Sequence, residues 1–124
     1  MEISEKNIRE LLIQYPGLEY DGFYPNIVTL VDVAMNPEHQ RGQDRLVSNY
    51  KEVQACFNWL GRIEKSPVPQ RGAGSYKVKH MVEASLKAYD EFAYVANGSL
   101  IAAAILRGFS FQPTDVPNVC FNMK

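Results

Sequence analysis

The stretch Leu100-Ile101-Ala102-Ala103-Ala104-Ile105-Leu106-Arg107-Gly108, followed at once by Phe109-Ser110-Phe111-Gln112, decides the fold. Its first eight residues read as a helix with almost no polar face, so that helix has to be central and buried. Asn97 or Ser99 can cap it, and Gly108 closes it at the left-handed position that glycine adopts without strain. Beyond the glycine the period changes. Phe109 to Gln112 and Val119 to Met123 alternate around Pro113-Thr114-Asp115-Val116-Pro117-Asn118, which is the pattern of a β-hairpin. A buried helix beside a terminal hairpin makes the chain α+β and mainly helical, with Ile101, Ala104, Ile105 and Met81 expected fully inside.

Working back from that centre, Ser75 is placed to cap a helix over 75–89 in which Val78, Met81, Val82, Ser85, Leu86 and Tyr89 share one face. Leu46, Tyr50, Val53, Phe57 and Leu60 recur at three- and four-residue steps and predict an amphipathic helix over 43–62. Ser66-Pro67-Val68-Pro69 cannot continue it, which leaves 66–74 as an exposed loop and the only linker candidate in a single domain spanning 1–124. Ser4 caps a first helix bearing Ile8, Leu11, Leu12 and Tyr15, and Pro16-Gly17 stops it. Residues 16–26 read as loop and 36–42 as turn. Between them 26–35 fits a helix, although Ile27-Val28-Thr29 would also suit a strand.

Composition narrows the function classes. A chain of 124 residues with 46% hydrophobic and 22% charged content is ordinary for one globular domain, which argues against disorder or a fibrous architecture. No run of 18 apolar residues occurs and the first residues are charged, so the expectation is a cytoplasmic protein that does not enter a membrane. Acids outnumber bases by nine to five over residues 1–60, whereas bases outnumber acids by six to two over 61–89. That basic middle could meet phosphate or an acidic protein surface, or neutralise the acidic half of its own fold.

The run Gln70-Arg71-Gly72-Ala73-Gly74-Ser75-Tyr76-Lys77-Val78-Lys79-His80 stands out chemically. Its glycines, the Ser75 hydroxyl and the charges of Arg71 or Lys77 could hold an anion at a helix start, but the Gly-Lys-Ser/Thr ending of a nucleotide loop is missing. Arg71, Tyr76, Lys77, Lys79 and His80 are therefore candidates for binding a partner. Tyr20, Phe23 and Tyr24, with Tyr15, form a second candidate, an aromatic cluster able to anchor an interface from a loop. No nucleophile elbow or paired-carboxylate motif appears, and neither a catalytic residue nor a cofactor is expected. The order helix 43–62, helix 75–89, helix 98–107, hairpin is that of a winged helix-turn-helix. Against that, the third helix offers a reader of bases little beyond Ser99 and Arg107, and the connection from Asp90 to Ala96 exceeds the usual tight turn.

Ser75, Tyr76, Lys79, His80 and Glu83, then Tyr94, Val95, Asn97, Gly98, Ile101, Ala103, Ala104, Gly108 and Phe109, together resemble a pattern found in small proteins of phages and bacterial mobile elements. The pattern reads Ser-Tyr-x-x-Lys-His-x-x-Glu, then Tyr-Val-x-Asn-Gly-x-x-Ile-x-Ala-Ala and Gly-Phe. Lys77-Val78 departs from the Gly-Leu usual there, and residues 1–74 lie outside the resemblance. It implies a setting, the cytoplasm of a bacterial host cell, and brings no activity with it. In that setting the expected function is non-catalytic: occupation of a surface of a host protein or nucleoprotein complex, as anti-CRISPR inhibitors of host defence do. A winged helix-turn-helix regulator that binds DNA is the alternative, and a small enzyme with an unrecognised site stands third.

His39, His80, Cys56 and Cys120 lack the close spacing of zinc ligands, and the two cysteines sit among apolar neighbours. Purified protein should accordingly carry substoichiometric zinc and keep its melting temperature in reductant. Stoichiometric metal, or the marked loss of stability that follows opening of a native disulfide, would overturn the reading of both thiols as reduced and buried.

Overall fold

The computed structural model describes residues 1–88 and 94–124. Tyr89, expected on the inner face of its helix, and most of the connection from Asp90 to Ala96 lie outside the described residues.

Helix α1 spans Glu5–Gln14, and Ser4 caps it as expected, its hydroxyl accepting from the Asn7 N–H while the Asn7 side chain returns the bond. Residues 16–26 are not simply loop. Leu18–Glu19 (β1) and Gly22–Phe23 (β2) pair antiparallel, with Gly22 at φ +148° where β2 leaves the turn. Strands this short are held from outside: Gly42 accepts the Tyr20 N–H and Pro117 the Phe23 N–H. Thr29 caps the short helix α2, Leu30–Ala34.

The expected turn at 36–42 is instead the first part of a helix. Asn36 caps α3 (Pro37–Ser48) by accepting the His39 N–H, and Pro37 fits the first helical position because its missing N–H would go unused there. The predicted helix over 43–62 is broken at Asn49, after which α4 runs Tyr50–Leu60. Asn49 takes a non-helical backbone, and both its N–H and its side-chain amide donate to the Arg45 carbonyl, which folds the end of α3 back on itself. The loop 66–74 is tied down by backbone bonds from Ser66 to Asn122 and from Gln70 to Phe121. A 3₁₀ turn, Arg71–Ala73, leads into α5, Ser75–Lys87.

At the centre lies α6, Asn97–Leu106, with every residue from Asn97 to Ala104 buried. Gly108 follows at φ +88°, as the sequence requires. Strands β3 (Phe111–Pro113) and β4 (Val119–Phe121) form the expected hairpin, Phe111 opposite Phe121. The fold is α+β and mainly helical, with six helices and two small hairpins among the described residues. The two hairpins meet at the head of α6, where the Asn97 amide donates to the carbonyls of Asp21 and Pro117 and to the Asn118 side chain. Gly98 crosses the backbone of Glu19 and Tyr20 so closely that a Cβ would collide with both carbonyls.

Two expected core positions are corrected. Ile101 and Ala104 are fully buried, but Ile105 is half-buried at the end of its helix and Met81 is 47% exposed. The stripe Ser75, Val78, Val82 and Leu86 faces the core, and at about 100° per residue Met81 falls about 110° from its centre while Lys79 falls within about 50°. The buried face of α5 thus includes a lysine in place of a methionine.

A winged-helix reading of the same order would need α6 to enter a groove, whereas Asn97 to Ala104 of that helix are buried. Ser99 is buried on Glu52, and Arg107 donates to the Phe57 carbonyl and lies 4.0 Å over the Phe57 ring, so neither is free to read a base.

The Glu52 carboxylate, on α4 and 7% exposed, accepts from the Tyr20 hydroxyl (2.9 Å), the Ala96 N–H (3.0 Å) and the Ser99 hydroxyl (3.2 Å). Removal should strand three donors. Glu52→Ala should cost about 3 kcal/mol or more, whereas Tyr20→Phe, which deletes one bond and leaves two donors on the carboxylate, should cost about 1 kcal/mol. Equal losses in chemical denaturation would show that the carboxylate does not organise this junction.

Candidate functional site

The stripe geometry of α5 brings three of the expected site residues together. Tyr76 and His80, one turn apart, stack edge to face with ring centroids 4.4 Å apart. Lys79, buried at 7% exposure, directs its ammonium to Glu83 Oε1 at 2.9 Å and lies 4.6 Å from the Tyr94 ring centroid and 6.0 Å from that of Tyr76. His80 Nδ1 is 3.2 Å from the same Glu83 oxygen, and Glu83 Oε2 accepts the Val95 N–H at 3.1 Å. A charge this buried needs partners, and one carboxylate with two aromatic faces supplies them. The result is a fixed platform. Tyr76 at 58% and Tyr94 at 53% present their outer surfaces to solvent on a pair that holds them from beneath.

Two opposing influences set the Glu83 carboxyl. Burial pushes its pKa up, but the hydrogen bonds from Lys79 and the Val95 N–H and the charges of Lys79 and His80 outweigh it, and the net value lies below 4.5. Glu83 at neutral pH is therefore a carboxylate that neutralises Lys79.

The remaining candidates lie elsewhere. Arg71 is exposed on the 3₁₀ turn and lines a groove beside the β3–β4 hairpin. Lys77 is exposed and contacts the Gly72 carbonyl at 3.4 Å. The Ser75 hydroxyl is fully buried and accepts the Val119 N–H, which removes it from any anion site at that helix start; Gly74 takes the capping position instead.

The aromatic cluster also changes character. Tyr20 is buried on Glu52, with the Arg45 guanidinium 4.5 Å over its ring, and Phe23 packs edge to face on Phe111 at 5.1 Å. Neither offers an exposed anchor. Tyr24, half-buried against His39, lines a cleft along α3 together with an edge of Tyr20. Apolar exposure lies instead on and around α2, at Val28, Leu30, Val31 and Met35.

Glu83 and Tyr94 complete the site although composition and motif chemistry single out neither. The signal for Glu83 is its spacing, four residues from Lys79 and three from His80, at which helical side chains meet. Tyr94 arrives from a different segment, and only the tertiary fold brings it in. Both belong to the phage-protein pattern, as do Tyr76, Lys79 and His80, so that resemblance maps onto one cluster of contacts.

His80 and Glu83 stand as a base and its orienting carboxylate would, yet His80 hydrogen-bonds to no serine, threonine or cysteine among the described residues. Burial, and then the charges of Glu52 and Glu83, push the Cys56 thiol far above its ordinary pKa, which keeps it an unreactive thiol. Among the described residues no three His, Cys, Asp or Glu side chains gather as a metal site would need, and no helix is long and apolar enough to cross a membrane.

No protein-family model, curated protein or solved structure matches this chain.

The ion pair under the platform has a measurable signature. A carboxyl whose folded pKa lies below its unfolded value of 4.5 adds stability that is complete above that value and lost as pH falls through the folded one. Glu83→Gln should cost about 3 kcal/mol at neutral pH by leaving Lys79 without its counter-charge. The gap between wild type and variant should narrow as pH drops below 4.5. A gap that stays constant down to about pH 3 would mean that the carboxylate's charge is not what matters.

Proposed function

We propose that this chain is a non-catalytic binding protein of a phage or mobile element, which acts by occupying a surface of a host protein or nucleoprotein complex. One observation carries the reading. Tyr76 and Tyr94 are exposed side by side on a foundation that fixes both rings, the buried Lys79–Glu83 pair. Tyrosine combines a large apolar face with a polar edge and loses little conformational entropy on binding, which is why it recurs among the residues that dominate interfaces. Pre-ordering the rings in the free protein lowers that cost further.

Charge supports a protein surface over bare nucleic acid. The basic candidates are dispersed: Lys79 is neutralised within the fold, Arg71 lies beside the hairpin, and of the basic candidates Arg71, Lys77 and Lys79 only Lys77 shares α5 with the platform in exposed form. Inhibition of a host defence complex, in the manner of anti-CRISPR proteins, is the form of this activity that the phage-like pattern favours.

Affinity capture from bacterial lysate with tagged wild type, with Tyr76→Ala/Tyr94→Ala, and with an Ile13→Ala control on the exposed face of α1 tests the reading. Wild type and control should retain the same protein after nuclease treatment. The double variant should lose it, since two anchors of this type contribute about 2 kcal/mol or more each, while keeping its melting temperature. Equal capture by the double variant would remove this face from the site. Capture abolished by nuclease in all three would favour nucleic acid as the partner.

A further inference from the structure

A cleft of about 410 Å³ runs along α3 on a part of the molecule that the tyrosine platform does not use. Its lining holds charges of both signs that leave one another unpaired. Arg41 and Arg45 project from successive turns of α3, and neither guanidinium lies within ion-pair distance of a carboxylate among the described residues. Glu38, Asp21 and Glu19 supply the carboxyl groups. On α3 itself Glu38 and Arg45 are seven residues and so about 10 Å apart along the axis, and Arg41, although only three residues from Glu38, makes no close ion pair with it.

The walls are built. Arg45 rests on the Tyr20 ring, which Glu52 fixes from the other side. Tyr24 is held edge to face by His39, whose Nε2 lies 2.7 Å from the Pro16 carbonyl and donates to it. Glu19 is 6% exposed, and Gly42 is glycine because its carboxyl lies directly against that Cα. Oε1 of Glu19 accepts the Asp21 N–H, whereas Oε2, packed beside Gly42, makes no close hydrogen bond among the described residues, on a residue that lines the cleft. Burial raises this carboxyl to about 7, against the Asp21 and Gly22 N–H groups and Arg45, which lower it. An oxygen left in this condition is an open acceptor, since such groups are ordinarily paired.

We propose that this cleft binds a free amino acid, its carboxylate held by the guanidinium groups of Arg41 and Arg45 and its ammonium group by the carboxyl groups of Glu19 and its acidic neighbours. A lining with separated charges is matched by a ligand that carries both, whereas a lone anion would meet the carboxylates and a lone cation the guanidiniums. The volume lies near the small end of ligand pockets, about 300–1,000 Å³, and suits one small metabolite. Ile27 and the Tyr24 ring give an apolar side chain a surface to cover.

Titration calorimetry on the full chain at about pH 7.5, with L-leucine, L-phenylalanine and the other protein amino acids, tests this directly. At least one should bind saturably with a Kd of about 1 mM or tighter. For L-phenylalanine or whichever amino acid binds, the analogue lacking the amine (3-phenylpropanoate) and the one lacking the carboxylate (2-phenylethylamine) should each bind about tenfold weaker or worse. Arg41→Gln and Arg45→Gln, both at exposed side chains, should each weaken binding about tenfold with an unchanged melting temperature. No saturable binding by any amino acid at about 10 mM would overturn the proposal. So would 3-phenylpropanoate or inorganic phosphate binding as tightly as the amino acid, which would make this a plain anion site. None of these outcomes bears on the tyrosine platform.

Discussion

The buried carboxylate of Glu52 is the constraint on which the other elements depend. A charge in the interior is tolerated only when its lone pairs are filled, and here the donors come from three separate parts of the chain: the β1–β2 turn through Tyr20, the approach to α6 through Ala96, and α6 itself through Ser99. The Ala96 N–H belongs to the residue at the head of α6, one of the donors that a helix start cannot satisfy internally. Glu52 therefore does for α6 what a capping side chain would do locally, from a different helix. This explains why a buried helix with no side-chain cap of its own begins where it does.

Once α6 is fixed, its small residues determine what can pack on it. Gly98 lets the β1–β2 backbone approach to hydrogen-bonding distance, with Gly98 N–H on the Tyr20 carbonyl at 2.9 Å. Asn97 gathers the turns of both hairpins on one amide. The sequence Asn97-Gly98-Ser99, which has the form of a glycosylation signal, is thus taken up in internal packing through the Asn97 Nδ2, the missing Gly98 side chain and the Ser99 hydroxyl.

Where the fold was legible, the cause was local. Apolar content around the whole helix, Gly108 after it, alternation in the tail and Ser4 before α1 each act within a few residues, and each appears as expected. What escaped depends on distant partners. Two-residue strands at 18–23 carry no periodicity, and they persist because Gly42 and Pro117 supply the missing bonds. The break at Asn49 falls inside a continuous amphipathic pattern, and Met81 is apolar yet lies off the stripe that packing selects. The site follows the same division. Arg71, Tyr76, Lys77, Lys79 and His80 stand in one contiguous run, and the fold keeps together only Tyr76, Lys79 and His80, which helical spacing joins, while it carries Arg71 away to the hairpin and leaves Lys77 outside the cluster. The cleft along α3 was invisible for the same reason as the strands: its walls come from residues 19–45 through tertiary contacts, with no motif linking them.

The two surfaces are built on one piece of backbone. Val95 and Ala96 donate consecutive N–H groups to two different carboxylates, Val95 to Glu83 under the tyrosine platform and Ala96 to Glu52 in the core. Successive N–H groups of an extended segment point to opposite sides, so a single stretch can be anchored to both at once. From Glu52 the same network continues through Tyr20 to the guanidinium of Arg45 at the cleft. The chain places its exposed aromatic rings and its open charges at the ends of a series of satisfied buried bonds. Groups held this way stay ordered without a ligand, which favours recognition by fixed complementarity over recognition by folding on contact.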